Sequence, residues 1–244
     1  MMKVAVILPV YNESDCLKKS FGLVSEFAQK NKLYHFIFVN DGSTDDSLKI
    51  LTERAKKISN PSINLISYHP RQGKGFAVKQ GVTWIDADYI CFTDSDLAYS
   101  LEHLELLVEK LEKEKFDVVI GCRNLDSSNS TSVSFQRKVV GKIFNIISRI
   151  LLNLNFTNMQ AGLKGFRKEP AKELFKRQLI HGFSFDVELL YLARKHNFSI
   201  GEIPARVTKQ HLYKLSKVNI IQDSVNMFIS LLKILCNDKA GRYE

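Results

Sequence analysis

Asp94 and Asp96 stand two positions apart at the end of the apolar run Tyr89-Ile90-Cys91-Phe92-Thr93, and no other pair in the chain is better placed for chemistry. The run reads as a buried strand. A strand sends residues i and i+2 to the same side, so both carboxylates are expected to leave its end together. Two hard oxygen ligands suit Mg2+ or Mn2+, which take one or two carboxylates and complete their shells with water and substrate phosphate. Taken alone, an Asp-x-Asp is more often an ordinary strand-end turn. Its meaning depends on what the neighbouring strand ends carry.

Three neighbours carry polar clusters. Val4–Leu8 is an apolar run stopped by Pro9, and Tyr11-Asn12-Glu13-Ser14 then opens a helical pattern through Leu17, Phe21, Val24 and Phe27. Phe36–Val39 is a second run, ending at Asn40-Asp41-Gly42-Ser43-Thr44-Asp45, where Ser43 or Thr44 is expected to cap the next helix. Ile63–Tyr68 is a third, opening into Arg71-Gln72-Gly73-Lys74-Gly75 ahead of a helix over Phe76–Trp84. Strands alternating with helices predict parallel βαβ units, whose ligands bind outside the carboxyl ends of the strands. Gly73-Lys74-Gly75 is too short for a Walker A loop, but N–H groups at a helix start with a lysine between them suit a diphosphate. Asp41 and Glu13 also fit ordinary turn and helix-start positions.

The bulk properties narrow the partners. A chain of 244 residues, 45% hydrophobic and 25% charged, fits one globular domain with appendages. A net charge of +9 asks for an anionic partner. The basic residues are dispersed and form no nucleic-acid-binding module, so nucleic acid is not expected. Cys16, Cys91, Cys122 and Cys236 are far apart and predict neither a disulfide framework nor a metal knuckle. The N-terminal apolar run is too short for a signal peptide, and no stretch approaches the roughly 18 apolar residues of a membrane span, so a cytoplasmic protein is expected. Two stripes are amphipathic. Residues 137–156 interleave Arg137, Lys138, Lys142 and Arg149 with apolar side chains, and Val218–Leu235 repeats the theme. Both suit a peripheral, interfacial helix, and both also suit core packing or a homodimer contact. Asn124–Ser134, rich in Ser, Asn and Thr, is expected to be a loop that orders over bound substrate.

Taken together, Pro9-Val10-Tyr11-Asn12-Glu13, Asn40-Asp41-Gly42-Ser43, Gly73-Lys74-Gly75 and Asp94-Ser95-Asp96 resemble the family 2 glycosyltransferases of the GT-A fold. The second half, with Gly121-Cys122-Arg123, Gln136-Arg137-Lys138, Met159–Phe166, Phe185–Leu190, Glu202-Ile203-Pro204 and Ser216-Lys217-Val218, resembles the polyprenyl- and dolichyl-phosphate glucosyl- and mannosyltransferases. Ala98 stands where the mannosyl enzymes often have a metal-assisting Gln, which favours the glucosyl branch. Leu215 replaces the usual Gly before Ser216-Lys217.

The resemblance implies an α/β, Rossmann-like, mostly parallel sheet flanked by helices over residues 1–215, with an amphipathic helical appendage over 216–244. It implies Pro9, Tyr11, Glu13, Val39 and Asp41 at the nucleotide, with Lys74 and Ser95 also on the nucleotide-sugar. It places Asp94 and Asp96 on the Mg2+ or Mn2+ that holds the diphosphate. The expected reaction moves a hexose with inversion from a UDP-sugar, UDP-glucose preferred to GDP-mannose, to a polyprenyl phosphate at the cytoplasmic face of a membrane. Arg123 is expected to assist the leaving diphosphate, and Arg137, Lys164 and Lys217 to touch phosphate. A phosphate acceptor needs no strong base, because its second pKa is about 6. A glycan or glycolipid hydroxyl acceptor would need one, from Asp186 or Glu188, whose side chains lie about 200° apart on a helix and cannot share a site. Asp186 is the one placed near the acceptor. A non-catalytic nucleotide-sugar-binding module is the alternative outside enzymes.

Overall fold

The fold is that of a computed structural model, which describes residues 2–58, 60–122, 146–149, 151, 152, 154, 161–208 and 220–244. Within them lie β1 (Val4–Val10), α1 (Ser14–Lys30), β2 (Tyr34–Asp41), α2 (Ser47–Ile58), β3 (Ile63–Tyr68), α3 (Lys74–Trp84), β4 (Tyr89–Thr93), α4 (Glu102–Lys113), β5 (Val118–Cys122), β6 (Leu163–Arg167), α5 (Lys168–Arg177), α6 (Phe185–Lys195), β7 (Ile200–Pro204) and α7 (Ile220–Lys239). The strands form a seven-stranded sheet in the order β3-β2-β1-β4-β6-β5-β7. β6 runs antiparallel to β4 and β5, and the other pairs are parallel. Strand order reverses between β1 and β4, which puts the crevice favoured for ligands beside Asp94.

The residue pattern explains the layers. In β1, Val4, Val6, Leu8 and Val10 join the core on one face of the sheet, while Ala5 and Ile7 join the core on the other. That two-residue alternation with both faces apolar is what a central parallel strand requires. Leu17, Phe21, Val24 and Ala28 of α1 recur at helical spacing and are buried, with Phe21 stacked on Phe38 at 5.2 Å between centroids. β1 runs through Pro9 to Val10, two residues past the expected end at Leu8. It does so because Pro9 lies beyond the last β1–β4 pair, Ile7 with Phe92, and retains only Val39 of β2 as a neighbour.

The C-terminal segment, expected as an appendage, packs into the main core. Leu231, Ile234 and Tyr243 are fully buried in the same cluster as Phe175 and Leu190. The Tyr243 hydroxyl donates to Glu188 Oε1 at 2.6 Å, and its carbonyl accepts from Arg177 Nε at 3.1 Å. Lys195 Nζ ties Asp238 at 2.6 Å and Glu244 at 2.9 Å. Glu188 is buried, so removing one of its donors is costly. Tyr243→Phe is expected to lower unfolding stability by about 1–3 kcal/mol, read from the urea midpoint at constant slope. An unchanged midpoint would show that the tail does not brace α6.

Of the 137–156 stripe, the described part sends Leu152 and Leu154 into the core and leaves Ile146 exposed. Ile147 and Leu151 pack against that core, and residues 137–145, 150, 153, 155 and 156, like the Asn124–Ser134 loop, lie outside the described residues. No helix among the described residues is long and apolar enough to cross a membrane.

Candidate active site

Asp41 ends β2 and is 2% exposed. Its Oδ1 accepts the Tyr68 hydroxyl at 3.0 Å and the Gln72 N–H at 2.8 Å, and its Oδ2 accepts the Gly73 N–H at 2.9 Å. Burial beside this carboxylate raises the Tyr68 phenol above its ordinary pKa. Arg71 Nε lies 3.7 Å from Asp41 Oδ2, and its guanidinium lies 3.9 Å over the Tyr11 ring. The ends of β1, β2 and β3 are thereby tied into one polar shelf; Pro9 and Val39 pair in register beneath it, with Val39 fully buried in the core. Arg71 is a member that the residue pattern alone did not single out.

The loop after β1 is fixed by the loop after β2. Asn12, at φ 53°, accepts the Thr44 N–H at 2.8 Å and donates its own N–H to Ser43 Oγ at 3.1 Å. Ser43 and Thr44 are thus engaged with Asn12, and the expected cap belongs to Asp45, whose Oδ1 accepts the Ser47 N–H at 2.9 Å. Burial favours the neutral Asp45 acid, yet hydrogen bonds from Ser47 and Ser14 hold its pKa down at about 2. The Glu13 N–H donates to Ser47 Oγ at 2.9 Å, and Glu13 Oε2 lies 3.2 Å from Cys16 Sγ.

β4 stops at Thr93, so Asp94 and Asp96 sit in the turn beyond it and strand alternation does not aim them. Leu97, at φ 51°, donates its N–H to the Asp94 carbonyl, and Asp96 Oδ1 accepts the Ala98 N–H at 3.2 Å. Asp94 Oδ1 instead meets Lys74 Nζ at 2.7 Å. Burial disfavours the Lys74 ammonium, but the carboxylates of Asp94, Asp186 and Asp96 outweigh it and hold the pKa above the ordinary lysine value. Ser95, between the acids, is buried.

Gly162 makes room for the Asp94 carboxylate. A Cβ there would fall 2.7 Å from Asp94 Cγ and 2.9 Å from Oδ1. Gly162→Ala is therefore expected to displace that carboxylate and lower turnover about a hundredfold while leaving the thermal midpoint nearly unchanged. Wild-type turnover in that variant would show that Asp94 can shift without consequence.

Three expectations change here. Lys164, expected at phosphate, is fully buried, and its Nζ donates to the Ala161 carbonyl and to Asp186 Oδ1, each at 2.7 Å. Burial pulls its pKa below the ordinary lysine value, and Asp186 offsets part of that. No phosphate reaches an ammonium so enclosed. Glu188, the other candidate base, accepts the Leu179 N–H at 3.0 Å, the Ile180 N–H at 2.8 Å and the Tyr243 hydroxyl. It holds the 179–181 loop and faces no substrate. The N–H groups of Gly75 and Phe76, expected at a diphosphate, donate to the His181 carbonyl at 2.7 and 3.3 Å. Gly73, at φ 112°, is needed because a Cβ would press on that same carbonyl. The glycines of the Gly73-Lys74-Gly75 loop seat it on the 180–182 backbone. Lys74 is the member that reaches the acids.

Two cavities open from this region. One of about 1260 Å3 lies between the 179–184 loop and α7 and includes Lys74 and Asp186 in its lining. Another of about 750 Å3 lies between α1 and α4 and reaches Asp96 and Leu97. Arg123, Arg137 and Lys217 lie outside the described residues.

Residues 5–175 match the model of the family described as Glycosyl transferase family 2. The chain is a family 2 glycosyltransferase. The transferase is 30% identical over 242 residues to a dolichyl-phosphate beta-glucosyltransferase from Dictyostelium discoideum, an alignment covering 95% of this chain and 73% of that one. It is 28% identical to a dolichyl-phosphate beta-glucosyltransferase from Trichomonas vaginalis, over 96% of this chain and 71% of the other. Its fold is shared with glucosyl-3-phosphoglycerate synthase from Mycobacterium tuberculosis, at a TM-score of 0.69 and 18% identity over 96% of this chain and 80% of that one. A structure of that synthase with Mn2+, UDP-glucose and phosphoglyceric acid superposes at a TM-score of 0.66 and 17% identity, over 96% of the transferase and 79% of the other chain.

Proposed function

We propose that this transferase moves glucose from UDP-glucose to a polyprenyl phosphate at a membrane surface, with inversion and with a divalent cation. The names of the curated relatives support the sugar and the lipid phosphate, and the Mn2+ and UDP-glucose complex of a protein of the same fold supports the donor and metal.

The observation that carries the acceptor is the state of the groove's carboxylate. Asp186 is the one acid among the described residues lining the larger cavity, and the buried Lys164 holds it as an ion pair. A hydroxyl acceptor needs a free base at that place. A phosphate monoester is already ionised near neutral pH, and a groove without a free base suits it.

The residues also fit a cation. Asp94 already accepts one, the Lys74 ammonium at 2.7 Å, and the missing Cβ of Gly162 leaves the carboxylate unobstructed. Asp94 and Asp96 are the residues that would hold Mg2+ or Mn2+, and the bound ion would neutralise charge developing on the departing diphosphate. Lys74 adds a positive charge beside Asp94 and orients that carboxylate. The Asp41 carboxylate braces the Gln72-Gly73 turn, and Arg71 over Tyr11 offers the nucleoside a planar stack. Arg123, Arg137 and Lys217 are assigned to phosphate by the family resemblance. Exposed Phe228, Ile229 and Leu232 on α7 support contact with a membrane.

The deciding experiment measures nucleoside diphosphate release from a panel of UDP- and GDP-sugars with Mg2+ or Mn2+, with and without a short polyprenyl phosphate. Lipid-dependent release of UDP from UDP-glucose is expected. Release that ignores the lipid, or that prefers a GDP-sugar, would sink the assignment.

A further inference from the structure

Resting on that reading of the acceptor, we infer that the groove between the 179–184 loop and α7 binds the polyprenyl phosphate, with Lys233 and Arg242 recognising phosphate and Phe183 and Ile229 flanking the chain's first isoprene units. The groove holds about 1260 Å3, the scale of a ligand site. Asn226, Ser230, Lys233 and Asn237 recur along α7 at spacings of three and four residues, so one stripe of the helix forms its wall. That stripe is separate from the buried stripe of Leu231 and Ile234, which anchors the helix to the core.

Charge and polarity select the occupant. The lining includes three cations, Lys74, Lys233 and Arg242, and the single acid Asp186; Asp94 answers Lys74 and Lys164 answers Asp186, which leaves Lys233 and Arg242 in excess. That excess matches a phosphate monoester. Phe183 is 55% exposed and Ile229 42% exposed, both on the rim, where water gains nothing from them and a hydrocarbon chain does. A soluble sugar phosphate would use the cations and leave the rim bare. An amphiphile uses both. The placement also suits the reaction, since the same groove reaches Lys74, which touches Asp94.

Steady-state transfer by the full chain tests this, using a short polyprenyl phosphate in detergent and, in parallel, a water-soluble alkyl phosphate. Lys233→Glu is expected to raise the acceptor KM about tenfold for both, with Lys233→Arg restoring it. Phe183→Ser and Ile229→Ser are expected to raise KM severalfold for the lipid phosphate alone. The KM for UDP-glucose and the thermal midpoint should stay as in the wild type, because all three side chains lie at the surface away from Asp41 and the core. If the wild type transfers glucose to lipid phosphate and these variants keep its acceptor KM within twofold, the groove assignment is overturned while the proposed reaction stands. If the wild type transfers nothing to lipid phosphate, the proposed reaction falls and the groove assignment with it.

Discussion

Asp94→Asn is expected to lower glucosyl transfer about a thousandfold, a loss of about 4 kcal/mol of transition-state stabilisation, with the fold intact. The substitution keeps the size of the side chain that Gly162 accommodates and removes only its charge. Two consequences follow from the geometry. On the proposed reaction the site loses a carboxylate that would hold the divalent cation, and Lys74 loses the anion 2.7 Å away that, with Asp186 and Asp96, sustains its protonation. Both act on the charge that collects on the leaving diphosphate and much less on ground-state binding. The signature is therefore a fall in kcat that raising the Mn2+ concentration recovers only in part. UDP release under saturating UDP-glucose across an Mn2+ titration measures it. Turnover within tenfold of wild type would exclude Asp94 from the chemistry.

Lys164→Met is expected to destabilise the protein by about 3–5 kcal/mol, because it leaves the Asp186 carboxylate buried without its cation. At about 2–4 °C per kcal/mol for a chain of this size, the thermal midpoint falls by roughly 6–20 °C. The double variant Lys164→Met with Asp186→Leu is expected to regain most of that loss, since removing both charges removes the desolvation cost together with the attraction. Calorimetry of the three proteins settles the role. A single variant that melts with the wild type yet loses acceptor binding would return Lys164 to the phosphate site. The fully buried ammonium, its two 2.7 Å acceptors and its position 5.6 Å from the Phe92 ring centroid all place it in the interior instead.

These two results bear on different layers of one device. Asp94 and Lys74 pair with each other, and Lys74 lines the larger cavity. Lys164 and Asp186 sit beneath them, and Glu188 and Tyr243 hold the 179–181 loop on which the Gly73–Gly75 turn rests. The C-terminal tail is thus connected by hydrogen bonds to the loop that positions Lys74.

Much of this was legible in the chain itself. The apolar run Val4–Leu8, the helical spacing of Leu17, Phe21, Val24 and Phe27, and the acids and glycines at successive strand ends specify a mostly parallel sheet flanked by helices. Those signals are local, set by backbone period and side-chain polarity within a few residues. The pair Asp94 and Asp96 was legible as residues but not as geometry, because β4 ends at Thr93, ahead of both acids, and the turn beyond it sets their directions. Tertiary structure alone decided the roles of Lys164, Glu188, Gly75 and Gly162. A lysine is the same in sequence whether it meets a phosphate or a buried Asp186 twenty-two residues away, and only the packing of β6 against β4 and α6 removes the water that would have kept it at the surface. Burial and partnership are properties of distant segments brought together, and the residue type sets only which interactions are open to it once they meet.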